Sequence, residues 1–141
     1  MSLPHHNLVV WQRADDLFIE VHLLTRKAFP DDERYELGRQ VRRAAYSVPA
    51  NIVEGIARRG EKDSISFFNI ASASLSELGY GLHAAWRLGY IDEAKLAGLE
   101  KKIRMISAPL RGLIRRYRVE GAITKAVPLV VAILATWLFT A

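Results

Sequence analysis

The sequence predicts an all-α protein, an antiparallel up-down-up-down four-helix bundle with an additional C-terminal apolar segment. Three observations carry this expectation. Apolar residues recur at steps of three and four over long stretches, as on the buried face of a helix. No stretch shows the two-residue alternation of a half-buried strand. Glycines and prolines divide the chain into four long segments with short connections, which favours antiparallel neighbours. With 141 residues, half of them hydrophobic and a quarter charged, the chain suits one bundle domain over residues 1–120 and an apolar tail over residues 121–141.

The first helix is expected from about Leu8 to Lys27, where Val10, Ala14, Leu17, Val21 and Leu24 follow at steps of four, three, four and three. The run FPDDERY breaks it, because Pro30 disfavours helix at Phe29 and the acidic residues suit a following N-terminus. A second helix spans about Glu33 to Arg59 and stops at Gly60, a candidate C-terminal cap. The third, about Lys62 to Leu88, presents Ile65, Phe68, Ala71, Leu75, Leu78, Leu82 and Ala85 and ends at Gly89. Gly79 and Gly81 interrupt it at about 1 kcal/mol each relative to alanine, which points to a close helix–helix approach. Asp92 caps the fourth helix. Its Leu96, Leu99, Ile103, Ile106, Leu110, Leu113 and Tyr117 alternate steps of three and four without a miss, the seam of a bundle or coiled coil.

The stretch QVRRAAYSVPANIVEG, residues 40–55, carries Pro49 inside the second helix. A proline there removes a backbone hydrogen bond, frees the Ala45 carbonyl and bends the axis, at about 3 kcal/mol. Ser47 and Asn51 are placed to satisfy backbone groups near the bend. Arg43, Ser47, Asn51 and Glu54 follow at four, four and three, forming one polar stripe. Glu77, on the third helix, is the expected partner of a buried Arg43. The five residues read as a structural polar network rather than a catalytic one.

These residues also carry a resemblance. QVRRAAYSVPANIVEGIARR, followed by FFNIASASLSEL and RLGYID, resembles the four-helix bundle family of proteins encoded in intervening sequences of bacterial 23S rRNA genes. The opening LVVWQRADDLFIEVHLLTRKAFPDDERYELGRQ fits the same pattern, and the likeness covers about Leu8 to Tyr117. It implies a small bundle that assembles as a ring-like homopentamer. A related branch holds the accessory variability proteins of diversity-generating retroelements. This implies nucleic acid, RNA rather than DNA, and a reverse transcriptase or other protein as partners. Gly79, Gly81 and the tail after Arg118 depart from the pattern.

Few residues here suit chemistry. The chain has no cysteine, so it lacks disulfides, thiolate metal ligands and a cysteine nucleophile, in keeping with a cytoplasmic location. His5, His6, His22 and His83 fall in no metal-binding spacing, Asp15 and Asp16 point about 100° apart on a helix, and RRGEKDS lacks the spacing of a phosphate loop. The expectation is a non-enzymatic protein without metal or cofactor.

The net charge of +5 lies wholly in the last third: residues 92–141 hold nine basic and four acidic groups, and the preceding segments balance. Between Lys101 and Arg118 there are seven cations and no acid. On a helical wheel Lys101, Arg104, Arg111, Arg115 and Arg118 share one stripe, with Lys102 and Arg116 on the opposite flank. Neighbouring like charges repel, so a one-sign stripe points to a polyanion, and these five are the expected nucleic-acid-binding residues. Pro109 lies within the stripe and introduces a kink. After it, AVPLVVAILATWLFTA carries no charge. As a helix these residues span about 24 Å, short of the ~30 Å hydrocarbon core unless Ala122 onward is included. The tail therefore either anchors the bundle to the inner membrane or packs on the bundle or another subunit. A membrane-associated assembly protein, its cations on lipid headgroups, is the alternative function.

Overall fold

The computed structural model describes residues 2–140, and the apolar spacing resolves there into four helices: α1 (Val9–Ala28), α2 (Leu37–Ala57), α3 (Glu61–Arg87) and α4 (Glu93–Thr140). Short 3-10 turns at Pro4–Asn7 and Asp31–Arg34 precede the first two. Each helix packs on the next and α4 returns to α1, closing the bundle. The core is the union of the expected faces, with Val21, Ile52, Phe68, Leu78, Leu82 and Ile106 wholly out of solvent.

α2 begins four residues later than the sequence suggests. The acidic run forms its own 3-10 turn, and one Glu33 carboxylate oxygen accepts the Leu37 backbone N–H at 3.2 Å, serving an end of α2 that has no other side-chain cap. The other oxygen accepts the Tyr90 hydroxyl at 2.9 Å, and the Tyr90 ring packs on Phe29 with centroids 5.4 Å apart. The α1–α2 and α3–α4 connections are thereby tied at one end of the bundle. Gly89 has a φ of +81°. The Gly89 N–H donates to Trp86 O and the Tyr90 N–H to Ala85 O, both at 2.9 Å, a left-handed helix termination that favours glycine. Gly60, by contrast, is extended at φ −97° and precedes α3 rather than ending α2.

α2 and α3 share the largest interface, and two glycines set its spacing. A Cβ on Gly55 would overlap the ring of Phe68. A Cβ on Gly81 would sit 2.7 Å from Val41 Cγ2. Gly79 does not contribute: its nearest side-chain neighbour would be Ile103 Cδ1 at an ordinary 3.8 Å.

Pro49 is buried within α2, and of the two side chains expected to serve backbone groups there Asn51 does so, whereas the Ser47 hydroxyl bonds other side chains. Asn51 Nδ2 donates to Ser47 O at 2.8 Å and Ser47 Oγ at 2.9 Å. Ser47 Oγ shares a 2.7 Å hydrogen bond with Ser74 Oγ on α3. At Pro109 the helix continues without a break. The carbonyl that Pro109 leaves without its N–H is that of Met105, and Arg13 Nη1 from α1 donates to it at 2.8 Å.

The glycine assignments predict opposite signs for two neighbouring changes. Gly81→Ala should lower the urea midpoint, because Val41 is β-branched and fully packed, and overpacking costs about 1–3 kcal/mol. Adding Val41→Ala should recover most of the loss. Gly79→Ala should raise the midpoint by up to about 1 kcal/mol of helix propensity.

The Tyr90 hydrogen bond predicts a pH dependence. Its bond to the Glu33 carboxylate, then burial and the Glu33 and Asp32 charges, raise the phenol pKa above its ordinary value. A raised folded pKa means that the contribution is complete below the unfolded value of about 10 and is lost as pH rises through the folded one. Thermal melts of the wild type and Tyr90→Phe should differ by a constant amount near neutrality and converge above about pH 10.

Candidate nucleic-acid interface

The seam of α4 orients everything on its outer face. Leu96, Leu99, Ile106, Leu110 and Leu113 are buried, Ile103 and Tyr117 partly so. The Tyr117 ring meets that of Phe68 edge-on at 5.0 Å between centroids. With the seam inward, Lys101, Arg104, Arg111, Arg115 and Arg118 are all exposed, along roughly 25 Å of helix. Among the described residues none of the five forms an ion pair or side-chain hydrogen bond. The flanking cations behave differently. Lys102 and Lys95 both pair with Glu20 of α1, the latter at 3.6 Å, and Arg116 pairs with Glu120 at 3.3 Å. The helix thus spends its flanking cations on internal partners and leaves the stripe to solvent.

The polar network is smaller than expected. Ser47 and Asn51 are linked, with Ser74 as a third member that the spacing did not single out. Glu54 is exposed and holds Arg58 at 2.9 Å on its own helix. Arg43 and Glu77 do not meet. Both are exposed, because each lies on the side of its helix away from the core, and they form no ion pair with one another. The arginine that turns inward is Arg42. Its Nη1 donates to Thr25 Oγ1 at 3.0 Å and its Nη2 to Arg34 O at 2.7 Å. Partial burial, then the charges of Arg26 and Arg34, lower its pKa.

Arg43 instead joins Arg39, Arg42 and His22 around a groove between α1 and α2, with Phe18 and Tyr46 as its aromatic wall. Tyr46 is 60% exposed, its ring 5.5 Å from that of Phe18. No acid lines this groove. It is a second basic surface, with an exposed aromatic that the cationic stripe of α4 lacks. The signal for it was the wheel position of Arg43, about 200° from Val41 and so outside the buried face of α2.

Beyond Arg118 α4 runs on into the tail. Gly121 is buried against Glu61 of α3, and Lys125 Nζ lies 3.6 Å from Glu61 Oε2. From Ala122 to Leu138 every residue is exposed, so beyond Lys125 the described part of the tail does not pack on its own bundle. This is one helix long and apolar enough to cross a membrane, with a mean hydropathy of 1.8 over its most apolar window. Among the described residues no three His, Asp or Glu side chains converge as metal ligands.

A crystal structure of a protein of unknown function from the S23 ribosomal protein family of Bacteroides thetaiotaomicron is similar to this chain. The TM-score is 0.70 and the identity 23%, over 75% of this chain and 98% of that one. At that identity the likeness speaks for the fold. No curated protein matches. The profile of the 23S rRNA-intervening sequence proteins matches residues 6–112, which include the proline-bearing motif, the α2–α3 interface and the first half of the basic stripe, and the chain belongs to that family.

Proposed function

We propose that this protein is a non-enzymatic nucleic-acid-binding accessory protein that contacts phosphates through the exposed face of α4. The observation that carries the reading is the row of five cations without internal partners, beside flanking cations that all have them. Solubility alone is better served by mixed signs. Phosphate contacts give affinity without base reading, so binding is salt-dependent and weakly sequence-specific. RNA is favoured over DNA by the resemblance to proteins encoded within rRNA genes. In a homopentameric ring the stripe is repeated around an axis, and modest contacts add by avidity. The α1–α2 groove, with Tyr46 beside Arg39 and Arg43, offers a stacking surface for an unpaired base. A reverse transcriptase or another protein is the partner class implied by the retroelement branch.

The test is direct. Arg104, Arg111 and Arg115 changed together to glutamine should weaken RNA binding by a similar factor for unrelated sequences. The slope of log K against log salt should become shallower by nearly one per lost contact. The fold should be retained, since exposed substitutions change stability by under about 0.5 kcal/mol. Weak, salt-insensitive binding by the wild type would exclude the phosphate mechanism.

A second reading has its own observation, the exposed helix from Ala122 to Leu138. In it the protein is a membrane-associated assembly factor, its bundle on the cytoplasmic side of the inner membrane, where basic flanks are retained. Cells producing the full chain should yield it in a carbonate-resistant membrane fraction, and a chain ending at Lys125, which keeps the Glu61 contacts, in the soluble one. Equal solubility of the two would rule out anchoring.

A further inference from the structure

Where α4 leaves the bundle there is an open recess of about 390 Å³. Tyr117 and Gly121 of α4 and Ser64 of α3 line it, with Arg58, Arg59 and Lys125 also on its wall. We infer that this recess is a binding site for the phosphate of an anionic glycerophospholipid, whose acyl chains lie along the exposed helix beyond it. The inference rests on the membrane reading and names the lipid class that the anchored protein would select.

The three cations are available. Arg59 has no ion pair or side-chain hydrogen bond among the described residues. Arg58 holds the exposed Glu54 and lies over the Phe67 ring, its guanidinium carbon 4.5 Å from the centroid. Lys125 is 78% exposed and only loosely paired with Glu61 at 3.6 Å. Pairs of this kind contribute little in water, so a phosphate can take either cation. Two acids also line the recess, Glu61 and Glu120, and each already faces a cation, Lys125 and Arg116 respectively. The Tyr117 hydroxyl makes no hydrogen bond among the described residues and is a free donor at the same place.

What selects a lipid over a soluble phosphate is continuity. Thr124 and Lys125 belong to the recess, and Val127, Leu129, Val130 and Val131, each at least half exposed, follow within about 3–9 Å along the helix. A phosphodiester bound to Arg58, Arg59 and Lys125 thus has an apolar surface immediately beside it, which a diacylglycerol moiety covers and inorganic phosphate does not. The cations stand at headgroup depth, where an anionic leaflet attracts each basic side chain.

Flotation of the full chain with vesicles of phosphatidylcholine, with or without phosphatidylglycerol, tests the site. The wild type should partition into both and favour the anionic vesicles by roughly tenfold. Combining Arg58→Gln, Arg59→Gln and Lys125→Gln should leave partitioning into neutral vesicles intact and remove most of that preference. The control with Arg26, Lys27 and Arg87 changed to glutamine loses the same charge at the opposite end of the bundle and should keep it. Inorganic phosphate replacing chloride at equal ionic strength should change nothing. A preference that survives the first triple variant, or is lost equally in the control, overturns the site. Abolition by inorganic phosphate would reassign it to a soluble anion. Failure to float with neutral vesicles would remove the membrane reading, and the lipid site with it.

Discussion

The seating of one phenylalanine on one glycine sets the geometry of this bundle. Phe68 is fully buried on α3, its ring against Gly55 of α2, where no Cβ could fit. Its edge contact with Tyr117 then fixes the last buried turn of α4. Gly81 and Val41 repeat the close approach along the same α2–α3 interface. Interiors are packed like crystals, so spacing set at one such contact is inherited by its neighbours. The register of α4 determines which of its cations reach solvent and where its apolar continuation emerges. The candidate interfaces are in that sense consequences of the α2–α3 contact.

Internal partners divide the basic residues into two groups. Lys102, Lys95, Arg116 and Arg13 each serve the bundle, the first three through carboxylates and the last through a carbonyl freed by Pro109. Arg42 does the same between α1 and the 3-10 turn. Among the described residues the cations left unengaged include the α4 stripe, Arg39 and Arg43 at the α1–α2 groove and Arg59 at the recess where α4 leaves the bundle. Such a division carries more weight than net charge, because it separates cations that hold the fold from those open to a ligand.

Helix number, core faces and the outward direction of the α4 stripe were legible because they follow from the spacing of apolar residues alone. The polar motif of α2 shows where that legibility ended. Centred on Val41, Val48 and Ile52, the wheel puts Arg43 about 200° from Val41 and Arg42 at about 100°. Glu77 falls about 180° from Phe68. Pairing Arg43 with Glu77 by charge disregarded these angles, which exclude it. Other features had no local signal. Arg13 meets the Met105 carbonyl across the bundle, and Glu33 meets Tyr90 across two connections; both depend on how helices far apart in sequence are juxtaposed. The α2 start was displaced because Asp31–Arg34 adopts its own turn, a choice that acidic composition does not distinguish from a helix end. The α1–α2 groove belongs to neither helix alone.

One feature of α4 has a mechanical meaning. The helix that closes the bundle passes into the apolar segment with no intervening loop, so no flexible tether uncouples the two. A rotation of the outer half about its axis turns the cationic face by the same angle, and a tilt of one is a tilt of the other. With a disordered linker, the bundle would sample many orientations and pay entropy to be held in one. Here orientation is built in, and any ligand gripping either half also aims the other.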